Sequence, residues 1–174
     1  RMSKRSGRFT TLDELIDEVG VDVVRFFMLM RAAESHLEFD LDLAREQSEK
    51  NPVYYVQYAH ARICSILAKA SAEGFCDRSG DVALLLHPAE HALIVRLLEL
   101  ADTIDRAVRE LAPHHLTTYA RELAARFHAF YRDCRVVDAE NRALTLARLK
   151  LVRAAQIGLA RTLELLGISA PEAM

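Results

Sequence analysis

From Thr11 onward, apolar residues recur at helical spacing almost everywhere, and only six glycines and four prolines interrupt 174 residues. A chain patterned in this way buries its apolar stripes by packing helix against helix. Thr11 and Glu14 have capping-box spacing and predict a helix start, with Gly20 as its stop. A second helix is predicted over 22–33. His36 to Leu41 then alternates polar and apolar residues, which suits a short half-buried strand or an extended segment. Asn51 as cap and Pro52 at the first helical position predict a helix of about six turns, from Pro52 to Ala72 and ended by Gly74. Residues 75–83 lack periodicity and read as a loop. Pro88 opens a helical stretch to Leu111 with a break near Asp102. Leu116, Ala120, Leu123, Phe127, Phe130 and Tyr131 form the stripe of a helix ending near Cys134. A last helix is predicted from about Ala139 to Leu166, with Gly167 as its terminator. The expected fold class is all-α: a helix bundle over 51–174, preceded by a small helical segment over 1–50.

Hydrophobic residues at 51% and charged residues at 28% fit a globular domain large enough to bury a core unaided. No apolar run reaches bilayer length, and no signal segment opens the chain, so a cytoplasmic protein is expected. Cys64, Cys76 and Cys134 are odd in number and lack CxxC spacing, which suggests neither a disulfide framework nor a zinc ribbon. The net charge of -2 argues against indiscriminate coating of nucleic acid. Its distribution is uneven: residues 113–166 hold nine Lys or Arg against five Asp or Glu. That third of the chain offers either a basic patch for a phosphate backbone or a set of solvated helix faces.

Three groupings bear on chemistry. Met2-Ser3-Lys4-Arg5-Ser6-Gly7 places cations, hydroxyls and a glycine ahead of a helix, a composition able to hold polyphosphate and equally that of a basic terminus. On the helix from Pro52, Val53, Val56, His60, Ile63 and Leu67 share a core face, whereas Tyr55, Tyr58 and Arg62 share another. Two phenols and a guanidinium supply what an unstacked base needs, flat surfaces and a nearby cation; packing on a neighbouring helix is the alternative. His87-Pro88-Ala89-Glu90-His91 matches HxxEH, but Pro88 puts the helix start between the histidines and argues against a zinc-peptidase site.

Arg1 to Gly7 resembles the KMSKS signature of class I aminoacyl-tRNA synthetases, in the KMSKR-serine-glycine form of the arginine enzymes. Gly20 to Phe27 and His36 to Ala44 are similar to the segment these enzymes place before their anticodon domain. Asn51-Pro52-Val53-Tyr54-Tyr55-Val56-Gln57-Tyr58-Ala59-His60-Ala61-Arg62-Ile63 resembles the opening helix of that domain, and Leu165 to Met174 its end. The resemblance to arginyl-tRNA synthetases covers nearly the whole sequence. It implies a DALR-type anticodon-binding bundle over 51–174, behind a KMSKS-like loop and a stem-contact-like linker over 1–50. A Rossmann-type catalytic domain with the HIGH signature is expected upstream in the parent protein.

The resemblance assigns Lys4, helped by Ser3, to the phosphates of ATP, which the full enzyme uses with Mg²⁺; no tightly bound cofactor is expected on this chain. Arg1 and Arg5 stand where the signature has lysine and serine, and Arg is not equivalent to Lys at a phosphate. It further assigns Tyr55, Tyr58, Arg62, Tyr131, Arg135 and Met174 to the anticodon loop of arginine tRNA. Every arginine codon has G in the middle, so a pocket for the central anticodon C serves all isoacceptors. Another class I ligase, or a free-standing helical interaction module without RNA function, are the alternatives.

Overall fold

The computed structural model describes residues 11–76, 79–138 and 140–174. The first helix, α1 (Leu12–Val19), carries both halves of the anticipated capping box: Glu14 N donates to Thr11 Oγ1 at 3.2 Å and Thr11 N to Glu14 Oε2 at 2.8 Å. Helix α2 (Val21–Leu29) ends four residues short of the predicted Ala33. Beyond Met30 only the small Ala32 and Ala33 are apolar before Glu34, Ser35 and His36, too little to hold another turn against the core.

No strand forms at His36 to Leu41 among the described residues. The alternation has a different origin: Leu37, Phe39 and Leu41 are half-buried while His36, Glu38 and Asp40 face outward along an irregular segment. Phe39 rests on Phe27, ring centroids 5.2 Å apart. Asp40 Oδ1 accepts from Leu43 N at 3.0 Å and caps the short α3 (Leu41–Arg45).

Helix α4 (Pro52–Ala72) has the predicted bounds. Asn51, its buried cap, accepts from Val53 N and Tyr54 N and donates through Nδ2 to the carbonyls of Ala44 (3.1 Å) and Glu46 (2.9 Å). One side chain thus starts α4 and fastens it to the end of α3. A single 3₁₀ turn, Val82–Leu84, interrupts the following loop. The stretch from Pro88 divides into α5 (Pro88–Leu98) and α6 (Leu100–Arg109), with the break at Glu99, three residues before the predicted Asp102. Glu99 N bonds back to Val95 O, and its carboxylate takes an ion pair from Arg96 at 2.7 Å. Helix α7 (His114–Asp133) ends at Cys134 as expected, and α8 (Arg142–Leu166) starts later than predicted. Ala139 lies outside the described residues; the start is fixed by Asn141, whose Oδ1 accepts from Leu144 N at 3.1 Å.

Helix α7 is the hub, touching α4, α5, α6 and α8, while α8 also lies along α4 and α5. Tyr119, Leu123, Phe127 and Phe130 of α7 are fully buried, as are Val53, Val56 and Ile63 of α4 and Leu149, Leu159 and Leu163 of α8. Phe26 and Phe27 of α2 enter the same core, so the preceding segment is packed onto the bundle. His87, Glu90 and His91 of the HxxEH pattern are engaged structurally. His87 and Glu90 form a capping box at the start of α5, Glu90 pairs with Arg148, and His91 Nε2 lies 2.7 Å from Leu85 O.

Gly167 ends α8 in the left-handed region (φ 67°), and Ile168 N closes back on Leu163 O at 2.9 Å, a Schellman arrangement. A Cβ there would also stand 2.9 Å from Arg25 Nη1. Gly167→Ala is expected to destabilise the chain by about 1–2 kcal/mol, read by urea denaturation, chiefly from the backbone penalty for an L-residue. An unchanged midpoint would show that the tail has another way to leave the helix.

Candidate functional site

Tyr55, Tyr58 and Arg62 follow one flank of α4, adjacent to its buried face, and α7 runs beside them. Arg62 is the centre of the cluster. Its Nη2 donates to Tyr58 Oη at 2.7 Å, and its guanidinium carbon sits 4.8 Å from the Tyr58 ring centroid and 5.2 Å from that of Tyr131. A planar cation lying against two phenol faces holds both rings at fixed orientation, since guanidinium both stacks and donates in its own plane. Tyr131 continues the α7 stripe yet is 40% exposed, unlike its fully buried neighbour Phe130. It belongs to the rim of the core.

Two concavities open around this cluster. One, of about 630 Å³, is lined by Glu49, Tyr54, Tyr55, Tyr58, Arg62, Ala125, His128, Ala129 and Arg132. The other, about 340 Å³, lies between Tyr58, Arg62, Ser65, Lys69, Tyr131 and Met174. Tyr58 and Arg62 form the wall they share. Burial, reinforced by Glu49, raises the Tyr55 phenol above its ordinary value, so at neutral pH it keeps its proton and can donate.

Met174 reaches the second concavity because the tail is clasped to the bundle. Asp22 Oδ2 accepts from Gln57 Nε2 (2.9 Å), Ser169 N (3.2 Å) and Ser169 Oγ, joining α2, α4 and the tail at one oxygen. His60 Nδ1 lies 2.9 Å from Pro171 O, so this core-face histidine serves the tail. Asp22→Ala is expected to loosen residues 169–174 at a cost of about 1 kcal/mol, seen as faster amide hydrogen exchange at Ser169 and beyond. Exchange unchanged from the wild type would mean that other contacts hold the tail.

Of the residues singled out in the sequence, Tyr55, Tyr58, Arg62, Tyr131 and Met174 are brought to these two adjoining concavities. Arg135 stands apart, just past the end of α7. Its Nε donates to Val137 O at 3.1 Å, and it lines a separate depression of about 500 Å³ that Tyr131 also borders. Ser3 and Lys4 lie outside the described residues. The basic character of residues 113–166 does not form one patch. Arg148 is half-buried and paired with the buried Glu90, and Arg142 and Lys150 donate to the carbonyls of Gly74 and Gly80. Arg132 and Arg135 remain at the concavities.

Sequence reasoning missed Tyr54 and His128. Tyr54 stacks on Tyr58, four residues on, with an interplanar angle of 7°. His128 lies between α4 and α7, its ring centroid 5.0 Å from Tyr55 and 6.1 Å from Tyr58. The available signal was helical spacing, since His128, Tyr131, Arg132 and Arg135 fall on one side of α7 and its extension.

Among the described residues no helix is long and apolar enough to cross a membrane. The chain is 55% identical, along its full length, to an arginine–tRNA ligase of Dehalococcoides mccartyi, and 51% identical to one of Heliobacterium modesticaldum. It spans about a third of the length of these relatives: 31% and 32%. The solved arginyl-tRNA synthetase of Thermus thermophilus superposes over 98% of this chain and 29% of its own, with a TM-score of 0.77 and 33% identity. Residues 56–174 match the model of the DALR anticodon binding domain, a stretch that runs from the second turn of α4 through the tail and takes in the smaller concavity and, apart from Glu49, Tyr54 and Tyr55, the lining of the larger. By that match, and by a helix bundle shared with its relatives, the chain belongs to the DALR anticodon binding domain family.

Proposed function

We propose that this chain is the tRNA-reading portion of an arginyl-tRNA synthetase, and that the cluster of Tyr55, Tyr58, Arg62 and Tyr131 with Met174 receives unstacked bases of the anticodon loop. The observation that carries this reading is the guanidinium of Arg62, bonded to one phenol and lying against two. Such a surface offers π faces to bases and a positive charge to their phosphates or carbonyl edges. Similarity along the whole of this chain to about a third of two arginine–tRNA ligases supports arginine tRNA as the partner. Wrong bases would leave polar groups unmatched in a partly buried site, a penalty larger than any gain from a correct contact.

The parent protein, on this reading, ligates arginine to its tRNA with ATP and Mg²⁺ in the cytoplasm, and a catalytic domain preceding this segment performs the chemistry. Lys4 and Ser3 steady the ATP phosphates there. This chain contributes the binding and orientation of the tRNA and, by itself, no ligation.

The test is titration of the chain with arginine tRNA, and with the same tRNA changed at the central anticodon C, at two salt concentrations. Preference for the unchanged tRNA is expected at both. Equal affinity for the two would overturn anticodon reading by this surface, and a steep salt dependence in that case would mark backbone contact alone.

A further inference from the structure

Buried in the wall of the larger concavity is one polar atom without a partner. His128 Nε2 is shielded from solvent and makes no hydrogen bond among the described residues. Three aromatic rings enclose the imidazole: Tyr55 at 5.0 Å, Tyr58 at 6.1 Å and Phe127 at 5.7 Å between centroids. Phe127 belongs to the core and is fully buried, whereas Tyr55 and Tyr58 are half-buried and line the open side of the concavity. A buried nitrogen left unpaired is costly, so a state that gives it a partner is favoured over one that does not. What reaches it must come through the opening beside the two phenols. Ala125 and Ala129, flanking His128 on α7, keep that approach wide.

Resting on the reading of this surface as an anticodon site, we propose that His128 is a specificity-determining residue. Its Nε2 hydrogen-bonds the Watson–Crick edge of an unstacked pyrimidine that turns the Tyr55 ring aside and lies in the concavity beside Tyr58 and Arg62, which stay joined. The charged groups facing the imidazole are Glu49, Arg62 and Arg132. Burial, then the charge of Arg62, lowers the imidazole below its ordinary value, so at neutral pH the ring is uncharged. An uncharged imidazole carries one donor and one acceptor, and its Nε2 is one or the other. With its proton on Nδ1, the ring offers Nε2 as an acceptor for the exocyclic amino group of cytosine and cannot donate to the carbonyl of uracil at the same place. Tyrosine faces cannot make this distinction, because every base presents a π face.

The experiment uses this chain and two anticodon stem–loop RNAs of arginine tRNA, differing only in C or U at the central anticodon position. The wild type is expected to prefer C. His128→Phe keeps the ring packing and removes the polar edge, so its affinity for the C form should fall about tenfold and the C-over-U preference should vanish. His128→Gln can turn its amide to present either oxygen or nitrogen, so it should recover affinity for both RNAs while leaving the preference lost. That pattern is one that a packing role would not produce. Urea denaturation of each variant separates a folding defect from a binding one. A His128→Phe variant that folds and still prefers C as the wild type does would overturn the proposal and leave the anticodon reading standing. A wild type without preference would overturn both.

Discussion

Replacing Arg148 with methionine is expected to destabilise the bundle by about 3–5 kcal/mol. Arg148 Nε donates to Glu90 Oε1 at 2.6 Å, with Glu90 only 1% exposed and Arg148 14%. The second Glu90 oxygen accepts from His87 N at 2.8 Å, so the carboxylate is satisfied only while the guanidinium is present. Removing the cation strands a charge where water cannot reach it. Removing both members costs far less, because two apolar side chains of similar volume lose the attraction and the desolvation together. The double variant Glu90→Leu with Arg148→Met should therefore regain most of the lost stability, and a double-mutant cycle in urea should show strong coupling. A loss below about 1 kcal/mol in Arg148→Met alone would mean that the pair is as weak as a solvated one. Arg148 also donates to Arg135 O at 2.8 Å, so the single variant should release the segment after α7 that carries Arg135.

That contact also shows where legibility in the sequence stops. Asn51, Pro52 and Gly167 announce their helix ends because capping and left-handed backbone are local physics, and α4 and the end of α8 fall where those residues put them. The break at Glu99 has no glycine or proline to mark it, so it could be placed only to within a turn. His36 to Leu41 shows a real alternation of exposure, yet whether alternating residues pair into a sheet depends on a second strand, which lies elsewhere in sequence or nowhere. Glu90 looked like part of a metal motif because its partner is 58 residues away, and no local rule links the two. The candidate site was legible along α4, where helical spacing aligned Tyr55, Tyr58 and Arg62 on the flank they share in the structure. His128 was not, because its role depends on which face of α7 meets α4. The family resemblance supplied Tyr131 and Met174, and the Asp22 clasp supplies the physical reason why a residue at the end of the tail reaches the rings at all.

Arg62→Met should weaken tRNA binding by about 10- to 100-fold while leaving the fold intact. Methionine fills much of the same space with an unbranched chain, and Arg62 is half-buried and pairs with no carboxylate among the described contacts, so no buried charge is orphaned. What disappears is the hydrogen bond that fixes Tyr58 and the cation that lies over Tyr58 and Tyr131. Both phenols then regain rotational freedom, and a base entering between them must order the rings as well as itself. Stacking of one base on an aromatic ring contributes about 1–3 kcal/mol, and each 1.4 kcal/mol is tenfold in affinity, which sets the expected range. Arg62→Lys separates geometry from charge. The ammonium keeps the positive charge but cannot lie flat on two rings, so it should preserve the salt dependence of binding and recover little of the affinity. If lysine restored wild-type binding, Arg62 would act only as a charge near a phosphate. If methionine bound as tightly as arginine, the cluster around Arg62 would be structural, and the RNA surface would have to be sought among the exposed cations at Arg121, Arg132 and Arg135.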